Sequence, residues 1–152
     1  MLVIREGGLD EPAVIDLLNV HLQEVRNKPT PGGAHVLDSG GLKRPGISFW
    51  SAWDGEALLG CGALRELDAT HGEIKGMRTA PNQLRRGAGA ALMAHMLGVA
   101  RERKYRRVSL ETGATPEFEA AHALYRQFGF TPSEPFAEYT PHPLSRFMSR
   151  AI

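Results

Sequence analysis

The spacing of apolar residues changes several times along the chain, and each change marks an element. Met1 to Glu6 is a short apolar run closed by Gly7-Gly8, which predicts a strand. From Pro12 the period becomes helical. Val14, Leu17, Leu18, Leu22 and Val25 form a stripe with His21 beside it, Pro12 in the first turn and Asp10 as the expected cap. Asn27 to Gly46 shows no period and is rich in proline and glycine. It is too long for a simple connector, and such segments often serve as lids or binding loops. Ile47–Trp53 and Ala57–Glu66 read as strands joined by the hairpin signal Asp54-Gly55. Glu73–Thr79 reads as another strand, closed by Pro81. A helix runs from the Gly-Ala segment near Gly87 to about Arg103, with Leu92, Met93, Met96, Leu97 and Ala100 on one face. Arg107–Glu111 is a short apolar strand, Phe118–Phe128 a helix stopped by Gly129, and Arg146–Ile152 a final strand.

The order is strand, helix, three strands, helix, strand, helix, strand. Meandering strands followed by βαβ connections predict an α+β (mixed α/β) layer fold. At 152 residues the chain suits a single domain spanning 1–152.

Composition narrows the function classes. Hydrophobic residues make up 42% and charged residues 23%, as in an ordinary globular chain. A formal net charge of +1 argues against a nucleic-acid partner. The one basic cluster, Arg101 to Arg107, is read as cations complementing the carboxyl end of a helix. No apolar run approaches the ~20 residues of a membrane span, and the amino-terminal residues do not resemble a signal peptide. With a single cysteine, Cys61, these features favour the cytoplasm. The six histidines form no ligand-spaced pair, so no metal is expected. Cys61 lies in an apolar strand and is read as buried and inert.

Gln83-Leu84-Arg85-Arg86-Gly87-Ala88-Gly89-Ala90-Ala91 carries the chemistry that composition leaves open. It follows a strand and opens a helix. The first turn of a helix presents unpartnered N–H groups and the positive end of the dipole. Glycine and alanine let an anion approach that backbone, and Arg85 and Arg86 add donors shaped for phosphate. The P-loop pattern fails for want of a lysine, and the dinucleotide fingerprint fails at Leu92. Read alone, the turn is equally a tight strand-to-helix connection or a phosphate site. Gly60-Cys61-Gly62, inside an apolar strand, is read as a bulge or a tight packing point.

Arg86-Gly87-Ala88-Gly89-Ala90-Ala91 resembles the Gln/Arg-x-x-Gly-x-Gly/Ala signature of the GNAT superfamily of N-acetyltransferases, in its Ala variant. Leu124-Tyr125 through Gly129-Phe130 resembles the Leu-Tyr-x-x-x-Gly-Phe segment near the end of these enzymes, and the order of the two markers is the family's. His71 to Pro81, Leu110-Glu111-Thr112-Gly113 and Pro135 to Tyr139 are similar to a bacterial subgroup of YsnE-like acetyltransferases. The resemblance implies acetyl-CoA as co-substrate, a primary amine of a small or amino acid-like molecule as acceptor, and a central, largely antiparallel sheet. It also admits a homodimer. Met77, Arg78 and Thr79 would pair with the pantetheine arm, and Arg85, Arg86, Gly87, Ala88, Gly89 and Ala90 would cradle the pyrophosphate. Tyr125 would protonate the departing thiolate. Where many relatives carry a cofactor-holding asparagine, this chain has Phe118.

Acetyl transfer needs a neutral amine, and a lysine-like amine has a pKa of ~10.4, so a carboxylate or a water chain must take a proton. Glu73, on the strand expected beside the thioester, is the first candidate, with Glu111 and Glu66 behind it. The plain alternative for Glu73 is an exposed residue paired with Lys75. For Tyr125 it is a core aromatic, since Phe118, Ala121, Tyr125 and Phe128 share a helical stripe. A backbone N–H near Met77 suits the oxyanion, a donor worth ~3 kcal/mol. His21, His35 and the 27–46 segment are expected on the acceptor side. The alternative function is a non-catalytic acyl-CoA-binding module of the same fold.

Overall fold

A computed structural model describes residues 1–26 and 39–152. The elements are β1 (Leu2–Glu6), α1 (Pro12–Arg26), α2 (Ser39–Leu42), β2 (Ile47–Asp54), β3 (Ala57–Asp68), β4 (His71–Thr79), α3 (Ala88–Glu102), β5 (Arg107–Gly113), α4 (Glu119–Gln127), β6 (Thr131–Pro132) and β7 (Ser145–Ala151). Short 3₁₀ turns at Pro81–Gln83 and Pro116–Phe118 lead toward α3 and α4. The seven strands form one sheet in the order β1-β2-β3-β4-β5-β7-β6. Every neighbouring pair is antiparallel except β4 and β5, which run parallel.

The expected elements are present, and the differences are local. Within the stretch read as loop, the described part holds the single turn α2 and contributes Leu42 to the core. The two-residue β6 was not foreseen, because so short a strand has no period. Asp10 does not cap α1. The helix starts at Pro12, and the Asp10 carboxylate accepts a hydrogen bond from Lys43 Nζ at 2.7 Å.

Two apolar clusters cover the two faces of the sheet. On one, α3 and α4 bury Leu92, Met93, Met96, Leu97 and Tyr125 against Leu64, Ile74, Val108, Leu110 and Met148. On the other, Val14, Leu17 and Leu18 of α1 and Leu42 of α2 cover Phe49, Trp53, Cys61 and Ala63. Burying such side chains is worth about 1.5–3 kcal/mol each, which is what holds the helices to the strands. Gly60 and Gly62 mark close approaches, of the β4 backbone at the first and of the β4 and α3 side chains at the second. A Cβ on Gly60 would lie 2.8 Å from the Arg78 carbonyl oxygen, and one on Gly62 2.9 Å from both Met77 Sδ and Met96 Cε. The β3–β4 register shifts between Cys61 and Ala63, opposite Gly76, whose φ of +60° is natural for glycine.

The feature that positions the site is an incomplete ladder. β4 and β5 pair only at His71–Arg107, Gly72–Val108 and Glu73–Ser109. Beyond that rung β4 runs on to Thr79 paired with β3, while β5 runs on to Gly113 paired with β7. The two strands diverge and leave a cleft in the middle of the sheet.

Candidate active site

The Gly87–Gly89 turn lies at one end of the cleft, beside Thr79. Gly87, with φ +83°, is the N-cap of α3, and no side chain caps the helix. The first amide bond entering α3 is Ala91 N–H to Gly87 C=O at 3.0 Å, and the first turn carries no acidic residue. The amides ahead of Ala91 are therefore presented as an anion site. Ala88 is buried with its methyl in the core, so its contribution is its backbone. Gly89 lies beneath the turn, where a Cβ would come 3.1 Å from Leu124 Cδ2 of α4 and 4.0 Å from Thr79 Oγ1 of β4. This one glycine joins the turn, the last residue of β4 and the helix that carries Tyr125.

The two arginines differ. Arg86 donates to Gln83 Oε1 at 2.6 Å and forms an ion pair with Asp54 on the β2–β3 hairpin. Arg85 is exposed, and among the described residues it makes no hydrogen bond or ion pair. Its φ of +65° is uncommon outside glycine and points to a local constraint. Arg85 is thus the uncommitted arginine of the pair among the described residues, while Arg86 braces the turn against the hairpin.

On the face covered by α1 and α2, the strand register gathers polar groups at the cleft. Arg65 opposes Glu73, Ala63 opposes Lys75, Glu73 opposes Ser109 and Glu111 opposes Phe147, so these side chains share a face. Glu73 is fully buried and not the exposed residue that its plain reading supposed. Tyr139 Oη donates to Glu73 Oε2 at 2.5 Å, Lys75 Nζ stands 3.4 Å from the same oxygen, and Arg65 Nη1 stands 3.4 Å from Oε1. A buried carboxylate needs such partners. Burial, reinforced by the charge of Glu73, pushes the Tyr139 phenol well above its usual range. Glu111 is half-buried, with Ser145 Oγ donating to its Oε2 at 2.9 Å. Glu66 belongs to the other face, where it accepts a hydrogen bond from Tyr105 at 2.7 Å.

Tyr125 sits on α4 with its ring buried and edge-on to Phe130, centroids 6.2 Å apart. Its hydroxyl makes no hydrogen bond among the described residues. Burial pushes its pKa up to about 12, and the Glu111 charge adds to the rise. His21 is half-buried on α1, the layer over the Glu73 face. His35 lies outside the described residues. Cys61 is buried, and desolvation raises its thiol to about 12 against the opposing charge of Arg78, which fits an inert residue.

Four contributors escaped the sequence reading: Arg65, Glu138, Tyr139 and the segment between β6 and β7 that carries the last two. This flap crosses the Glu73 face. Phe136, Tyr139 and Phe147 hold it there in a three-way ring contact with centroids 5.0–6.0 Å apart. Phe118 also acquires a reason, since its ring occupies the place of any Cβ on Gly113, 2.1 Å away. Among the described residues no group of three or more His, Cys, Asp or Glu is arranged to hold a metal, and no helix is long and apolar enough to cross a membrane.

A split central ladder, an uncapped helix on a Gly-Ala turn and a carboxylate-lined cleft define an acyl-CoA N-acyltransferase fold. The model of the acetyltransferase (GNAT) family matches residues 15–130, and the chain belongs to that family of acetyl-CoA-dependent enzymes. It is 46% identical over 152 residues to YedL of Escherichia coli (strain K12), an uncharacterized N-acetyltransferase, covering 100% of this chain and 96% of that protein. It is also 46% identical over 149 residues to YsnE of Bacillus subtilis (strain 168), another uncharacterized N-acetyltransferase, covering 98% and 99%. Among solved structures, a Klebsiella pneumoniae protein described as an acyl-CoA N-acyltransferase superposes with a TM-score of 0.79 at 25% identity, covering 99% and 97%. A GNAT acetyltransferase from Elizabethkingia anophelis with acetyl-CoA bound superposes with a TM-score of 0.68 at 16% identity, covering 99% and 98%.

Proposed function

We propose that the enzyme transfers the acetyl group of acetyl-CoA to a primary amine of a small, amino acid-like acceptor, by direct attack in a ternary complex. The observation that carries this reading is the β4–β5 cleft. It has cofactor-type donors at one end and carboxylates on the face away from α3. Arg85 and the amides of 87–90 suit the pyrophosphate, and the β4 edge from Met77 to Thr79 suits the amides of the pantetheine arm.

Two carboxylates compete for the role of base. Glu73 already has both oxygens engaged by a phenol and two cations, so it suits an organising anion. Glu111 is half-buried at the cleft and its charge acts on both Tyr125 and Tyr139, so it stands near both hydroxyls, where a proton acceptor is needed. In this reading Glu111, directly or through water, takes the amine proton as the N–C bond forms. The Met77 N–H polarises the carbonyl oxygen. Tyr125 delivers its proton to sulfur as the C–S bond breaks. Release of free thiol from acetyl-CoA across a broad panel of primary amines tests this. Amine-dependent thiol release with a matching N-acetyl product is expected. Tight acetyl-CoA binding with no turnover on any amine would overturn it in favour of a binding module.

A further inference from the structure

Two cations and two carboxylates meet under the flap. Arg65 Nη1 donates to Glu138 Oε1 at 2.8 Å and reaches Glu73 at 3.4 Å. Lys75, with a side chain only 7% exposed, reaches Glu73 Oε2 at 3.4 Å and Tyr139 Oη at 3.1 Å. Arg65 thus bridges the two carboxylates, and its shorter contact is to Glu138.

The two carboxylates are not equivalent. Glu73 is fixed on a strand paired on both sides at that rung and has a 1% exposed side chain. Glu138 stands on the flap with a side chain 41% exposed, next to Ala137, whose φ is +50°. Burial works to raise the Glu138 carboxyl, but the Arg65 hydrogen bond and charge outweigh it and hold it below the usual range. Glu138 and Tyr139 are neighbours on the flap, so displacing it would remove the Glu138 carboxylate and the Tyr139 hydroxyl together. Arg65 then loses its 2.8 Å partner and keeps only the 3.4 Å contact to Glu73, which leaves a position that another carboxylate can take. Across the cleft the charge has the opposite sign. Lys75 is the first residue of β4 on this face beyond the last shared rung, and Glu111 is its counterpart on β5.

We propose that Arg65 and Lys75 form a carboxylate subsite, that Glu138 is a tethered stand-in for the acceptor's carboxylate, and that the acceptors are amino acids held as zwitterions with the amine toward Glu111. This rests on the reading of the cleft as an acceptor site. It deepens that reading by assigning the second functional group of the acceptor. Exchange of one carboxylate for another keeps Arg65 paired in both states.

The test uses the L-amino acids, their methyl esters and their decarboxylated amines, with thiol release as readout and acetyl-CoA affinity by calorimetry as control. At least one free amino acid is expected to exceed its ester and its decarboxylated amine by tenfold or more in kcat/KM. Arg65→Gln should raise KM for that amino acid tenfold or more and leave acetyl-CoA affinity unchanged. Glu138→Gln should lower KM severalfold, because the competing stand-in is gone; a purely structural ion pair predicts no change or a rise. If Arg65→Gln fails to fold, Glu138→Gln decides the matter alone. Esters or decarboxylated amines matching the free acids, or a raised KM in Glu138→Gln, would overturn the subsite while leaving amine acetylation intact. If no amine of any kind is acetylated, the functional reading fails and the subsite with it.

Discussion

Tyr125 bears two demands on one ring, since it fills the core against Phe130 and keeps a hydroxyl without a hydrogen bond beside Glu111's charge. Sequence spacing could supply only the packing half, because periodicity reports burial and says nothing of where a hydroxyl ends. A pKa near 12 has a definite consequence of sign. The folded state holds the proton more tightly than the unfolded chain. The resulting stability is present below the usual phenol pKa of ~10 and is lost as pH rises from there toward 12. As a general acid the residue stays protonated throughout that range. The wild-type kcat profile should therefore show no downturn below about pH 11, where an ordinary tyrosine acid would turn it down near 10. Tyr125→Phe should lower kcat by roughly a hundredfold, with acetyl-CoA affinity and melting temperature nearly unchanged. If melting shows a large loss of stability and kcat is preserved, the ring is only core. Glu73 teaches the converse lesson. Its neighbour Lys75 was legible two positions away, but Tyr139 and Glu138 come from a flap far along the chain; Pro135 to Tyr139 stood out as a subgroup marker, yet nothing local could tell that it meets Glu73.

At the scale of elements, the parts that sequence made legible are those whose physics is local. The turn into α3, the Asp54-Gly55 hairpin and the stripes of α1 and α3 all appear where their residues imply. Asp10, drawn off to Lys43, and the two-residue β6 were decided by distant partners instead. The Gly87–Gly89 turn shows what local reading can and cannot do. It marked the uncapped start of α3 but could not see that Gly89 packs under Leu124 and beside Thr79, or that Arg86 is committed to Asp54. Gly89→Glu places a bulky anion at the junction of all three elements. Acetyl-CoA binding should be lost by calorimetry while the protein still folds by circular dichroism. Undiminished affinity would remove the turn from the cofactor site.

For the whole molecule, the sheet is shared between two layers, and the flap is a third, smaller piece held mainly by Phe136, Tyr139 and Phe147. Phe147→Ala should cost about 3 kcal/mol in denaturant unfolding and raise the acceptor KM more than the acetyl-CoA dissociation constant, because only the flap loses its anchor. Equal effects on both would mean that the flap serves the fold alone. The divergence of β4 from β5 carries one more consequence. A strand with an unclaimed edge ordinarily invites another strand, and in most proteins that hazard lies at the rim of a sheet. Here it lies at the centre, flanked by β5 and with α3 and α4 packed on one face, so another strand would have to enter between elements that are already in place. The split ladder thus keeps its unclaimed backbone where self-association is hardest to begin.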